Sequence, residues 1–199
     1  MKKESNIVLK LIFCALCLVF FLPNGLAFAK NSYASLLKKW TRHDTVFVWD
    51  NLEVRTQWHA TYLSPEMREF VRKKKQELLG WTPEEVRAAE ESDQKDDRRF
   101  DTFFVSIYAG SSAFPEIGKD SGQWRLVLEK LTSKEPIRVS PLKFEHIHIT
   151  QVERLLYPYL DKWSEAYLLI FPKTLQEGDG FSLRMTGIPV KSELVWRGK

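Results

Sequence analysis

The chain has 199 residues, 44% of them hydrophobic and 28% charged, a balance that excludes collagen-like, coiled-coil, wholly disordered and polytopic membrane proteins. The formal charge of +4 is partly local, because residues 1–29 hold Lys2, Lys3 and Lys10 against Glu4; without them, 30 basic and 26 acidic side chains become 27 and 25. So small an excess, with no basic stripe interleaved with aromatics, argues against nucleic acid as a partner.

Lys2 and Lys3 precede the apolar run from Leu11 to Leu22, which is followed by the breakers Pro23, Asn24 and Gly25 and then by Ala27-Phe28-Ala29. Charged, apolar, small-x-small is the order of a secretory signal, with cleavage expected after Ala29. As a helix the twelve-residue run would span ~18 Å against a hydrocarbon core of ~30 Å, so no transmembrane span is expected in the mature chain. Cys14 and Cys17 have Cys-x-x-Cys spacing, but inside this run they read as hydrophobic filler, and neither follows a lipoprotein box. Cleavage would leave a cysteine-free domain, which excludes disulfides, thiolate catalysis and cysteine-ligated metals. About 170 residues can bury enough surface without such staples. The expected location is periplasmic or extracellular.

Residues 30–42 read as an amphipathic lead-in, with Tyr33, Leu36, Leu37 and Trp40 at helical spacing. Thr45 to Trp49 is apolar on both faces, Asp50-Asn51 makes a turn, and the next strand alternates clearly. Val54, Thr56, Trp58, Ala60 and Tyr62 share one face; Arg55, Gln57, His59 and Thr61 share the other, expected to be the wet one. Ser64-Pro65 is a helix start, with Met67, Phe70, Val71 and Leu78 as its apolar stripe and Gly80 as its stop. Thr82-Pro-Glu-Glu85 fits a capping box for a second helix. Its stretch Glu90 to Asp97 lacks an apolar anchor and is expected to be a solvated helix end or a mobile loop. The helix pair, residues 64–97, reads as an insertion.

Strand patterns resume at Phe103 to Tyr108, Trp124 to Glu129, Glu135 to Val139, Tyr167 to Phe171, Phe181 to Met185 and Leu194 to Trp196, with a helical turn before Tyr157-Pro158. Seven or eight short strands without βαβ alternation predict a mainly β protein, a two-sheet antiparallel β-sandwich, immunoglobulin-like or C2-like in outline, over residues 43–199. Trp49, Trp58, Trp124 and Trp196 fall on strands and are expected as core.

Catalytic signatures are missing: there is no Gly-x-Ser-x-Gly elbow, no His-Glu-x-x-His helix and no EF-hand loop. The segment Ala113 to Lys119 ends in Gly-Lys, but it lacks the first glycine and the hydroxyl residue of a phosphate-cradling loop. Two features could carry function. The loop 109–122 bears Phe114 and Ile117 among small and polar residues, as a recognition loop on a sandwich would. His146-Ile147-His148 would place two imidazoles on one side of a strand, two of the three or four ligands that zinc requires. The sequence thus predicts an exported, non-enzymatic accessory or interaction module of the bacterial cell envelope. It needs no cofactor, and its expected partner is another envelope or extracellular protein. The alternative is a secreted metal-dependent or hydrolytic enzyme using His146 and His148.

Overall fold

The period-2 segments pair into two antiparallel sheets, as strands with one apolar face must. The structure, a computed structural model, describes residues 33–48, 53–109, 124–131, 135–187 and 191–198. The chain divides into two units, residues 1–36 and 37–199. Of the first, residues 33–36 are described, as the opening turn of helix α1 (Tyr33–Trp40). The second carries all other described elements.

One sheet has five strands: β1 (Thr41–Val48), β2 (Glu53–Tyr62), β3 (Phe100–Ala109), β6 (Lys143–Ile147) and β7 (Glu165–Pro172), in the order β1-β2-β3-β7-β6. The other has β4 (Trp124–Leu131), β5 (Ile137–Val139), β8 (Gly180–Gly187) and β9 (Lys191–Trp196), in the order β5-β4-β8-β9. Their inner faces interdigitate in one core. Trp58, Ala60 and Tyr62 of β2 and Phe103 and Val105 of β3 meet Leu128, Leu183 and Trp196 from the opposite sheet. Phe103 lies at its centre, edge-on to Phe171 at 5.7 Å and Trp196 at 5.6 Å. A fully buried Phe103, Leu128 or Leu183 contributes about 1.5–3 kcal/mol. The sandwich expected from the alternation is therefore the observed architecture, with Trp58 and Trp196 in its core. Trp49 and the side chain of Trp124 lie outside the described residues.

The two sheets are also clasped at the β1 and β9 edges. The Arg42 Nε donates to the Val195 carbonyl at 3.0 Å and the Trp196 Nε1 to the Trp40 carbonyl at 2.9 Å. Inside, the Trp58 Nε1 donates to Ser192 Oγ at 2.8 Å, and the Ser192 hydroxyl donates to Asp44. A buried indole thus finds its acceptor on the opposite sheet, as its burial demands.

Between β2 and β3 the chain forms α2 (Pro65–Leu79) and α3 (Pro83–Arg99). Ser64 Oγ accepts from the Met67 N–H at 3.2 Å, and Gly80, at φ 64°, closes α2 in the left-handed conformation that favours glycine. Thr82 and Glu85 form the expected capping box. A fourth and short helix, α4 (Gln151–Leu156), is capped in the same way by Thr150 and Glu153.

Glu90 to Asp97 take the first of the two expected forms, a solvated helix end: α3 continues to Arg99 with no buried residue and is held by ion pairs, Arg72 to Asp93 at 2.5 Å and to Glu90 at 3.8 Å. Two local expectations change. Leu78 does not join the apolar stripe; it lies exposed near the C-terminal end of α2. The second face of β2 is not wet: Thr61 is fully buried and His59 half-buried. Helical and loop segments cover that face, and Arg68 Nη2 of α2 donates to Thr102 Oγ1 of β3 at 2.7 Å.

Candidate functional site

The registers of β2, β3, β7 and β6 align distant residues in rows on the outer face of the five-stranded sheet. Thr61, Phe104, Leu168 and Glu145 form one row, and His59, Ser106, Ala166 and Ile147 the next. Three helices lay one stripe each above these rows. From α2 come Arg68, Val71, Arg72 and Lys75, spaced i, i+3, i+4 and i+7 and so on one helical face. From α3 come Ala89, Ser92 and Asp93, and from the end of α4 come Glu153, Leu156 and Tyr157. Between them is a half-open cavity of about 360 Å³, within the range of small-molecule sites. Leu63, Phe104, Ile147 and Leu168 supply its apolar surface, and Trp81 lies at its border with α3. Ala89 and Ser92 are short, which leaves the space between the helices and the sheet unfilled.

The charged wall is only partly neutralised. Arg68 spends its Nε on the Leu63 carbonyl at 3.1 Å and shares Asp93, at 3.9 Å, with Arg72. Burial opposes ionisation of Glu153, but hydrogen bonds from Thr150 and the nearby charge of Lys75 outweigh it and hold this carboxyl below its ordinary value. Lys75 itself makes no ion pair within 4 Å among the described residues. The lining therefore holds three cations, Arg68, Arg72 and Lys75, against two carboxylates, Asp93 and Glu153.

Beside the cavity an aromatic column crosses the sheet. Phe104 stacks on Tyr157 at 3.8 Å, Tyr157 meets Tyr159 at 5.9 Å, Tyr159 stacks on His59 at 4.7 Å, and His59 meets His43 at 5.4 Å. The Tyr159 hydroxyl bonds Thr61 Oγ1 at 2.7 Å, which anchors the segment after α4 to β2. Burial and the adjacent His43 push the His59 imidazole down to about 4, against the opposing charge of Asp161. His59 is thus a neutral ring in a stack.

The residues singled out from sequence fall elsewhere. His146 lies on the edge strand β6, exposed, with its ring 5.3 Å from Tyr167 and steeply tilted to it; His148 is exposed just past the strand. Among the described residues no group of three or more His, Cys, Asp or Glu is gathered that could hold a metal. Phe114 and Ile117 lie outside the described residues. Sequence reasoning passed over Arg68, Arg72 and Lys75, whose signal was present: cations at i, i+4 and i+7 beside Val71 mark one helical flank.

Compared with known proteins, the chain matches no family model and no curated protein.

Proposed function

We propose that the chain is an exported, non-enzymatic β-sandwich module of the bacterial cell envelope that holds a small molecule between its helical cover and the five-stranded sheet. It works as an accessory to another envelope or extracellular protein, in the periplasm or outside the cell. The observation that carries this reading is the cavity of about 360 Å³ on the sheet's outer face. The signal-like order of residues 1–29 supports the export, and the lining supports binding over catalysis. Its charged groups are engaged mainly with one another, and it pairs no hydroxyl with an imidazole, one arrangement that activates a hydrolytic nucleophile. Among the described residues no helix is long and apolar enough to cross a membrane.

The test is to produce the chain in an exporting bacterial host, purify it without detergent and extract it for mass spectrometry beside an Ala89→Phe variant. The expected result is a bound small molecule in the wild-type protein that the variant, with its cavity filled, lacks. Equal extracts from both proteins, with Ala89→Phe folded by circular dichroism, would count against the proposal.

A further inference from the structure

We infer that the ligand of this cavity is an anionic amphiphile of about a dozen non-hydrogen atoms, with its apolar body on the sheet and its acid group at Lys75. The inference rests on the cavity being a binding site and adds the chemical class. Three observations lead to it.

The first is size. At ~30 Å³ per water the space equals about a dozen waters, which suits a medium-chain acid and is too small for a phospholipid. The second is the floor. Leu63, Val71, Ile147 and Leu168 are each only partly buried, so some apolar surface remains that the fold itself does not cover. An apolar chain laid across it would remove that surface from water.

The third is charge. Arg68 and Arg72 divide Asp93 between them, Arg72 reaching Glu90 as well, and Arg68 is further held by the Leu63 carbonyl and Thr102. Lys75, next along the same flank, has Glu153 as its neighbouring charge, and that carboxylate is already occupied by both the backbone N–H and the hydroxyl of Thr150. With Glu90 counted beside Arg72, both guanidinium groups have carboxylate partners, and Lys75 is the lining cation without an ion pair within 4 Å among the described residues, the place for a single anionic group. A cationic head would meet Lys75 as a like charge, and a neutral head would leave it without an ion-pair partner.

The test uses three probes of one chain length, decanoate and decylammonium below their micellar concentrations and decanol below its solubility limit, with isothermal titration calorimetry on the purified protein. Decanoate should bind most tightly and decylammonium not at all. Lys75→Met, which keeps the aliphatic stem, should weaken decanoate about tenfold and leave decanol unchanged. Equal affinity for decanoate and decanol, insensitive to Lys75→Met, would overturn the anionic assignment while the cavity reading stood. No binding of any probe to the wild-type protein would overturn the cavity reading as well. Decanoate binding that persists in a folded Ala89→Phe variant would place the site elsewhere and sink the assignment.

Discussion

Trp58 and His59 are neighbours in sequence with different burdens. Trp58 is fully buried and supplies the hydrogen bond to Ser192, so Trp58→Ala should cost about 3–5 kcal/mol in a denaturant titration. His59, on the other face, is no solvated edge residue, because its ring is held between His43 and Tyr159. His59→Ala should therefore cost about 1–2 kcal/mol, well above a surface substitution. The same burial makes stability depend on pH. An unfolded histidine takes its proton near 6.5, and His59 in the fold takes its proton near 4. Between those values the unfolded chain binds more protons, so this contribution is fully present above pH 6.5, declines as the pH falls toward 4 and levels off below. Urea unfolding at pH 7.5 and 4.5 should show a larger loss for wild type than for His59→Phe, which keeps a ring without the proton. Equal losses would mean that His59 is not held neutral.

At the scale of elements, α3 shows what holds a charged helix in place. It has no buried residue of its own, and its attachments include its cap, its ion pairs to α2 and to Lys173, and the Lys173 N–H donated to the Arg99 carbonyl at 3.0 Å. Thr82→Ala should cost about 1 kcal/mol through loss of the capping box. Arg72→Ala should change global stability by about 1 kcal/mol or less, yet make trypsin cleavage at Lys95 several-fold faster, because the loss loosens this helix more than the sandwich. Unchanged cleavage would show that the Asp93 ion pair does not restrain the helix. These elements were readable in advance because their signals are local: Ser64-Pro65, Gly80 and Thr82-Pro-Glu-Glu85 act within a few residues. The alternation of β2 was equally plain, but which of its faces stays wet was not. That depends on the helices and the Tyr157 to Leu160 segment lying on the outer side, a tertiary fact with no local pattern. The cavity was hidden for the same reason, since Arg68, Ser92, Ile147 and Leu168 come together only through the pairing of β7 between β3 and β6.

Across the whole molecule, export with cleavage would leave a chain that starts at a defined residue. Mass spectrometry of the protein recovered outside the cytoplasm should show Lys30 as its first residue, whereas a full-length product extracted from the membrane would contradict cleavage after Ala29. The clasp between β1 and β9 bears on how such a chain acquires its structure. β3 must find β7, β4 must find β8, and the last strand must reach back to Arg42 and Asp44 at the first. Pairings so distant in sequence pay loop-closure entropy before they return contact energy, which places the fold among slow, topologically demanding β proteins. Until β9 arrives, Asp44 lacks its serine and the Trp58 indole has no acceptor. Until that pairing forms the two sheets stay unlocked at this edge, and β9 acts as the latch that closes them on each other.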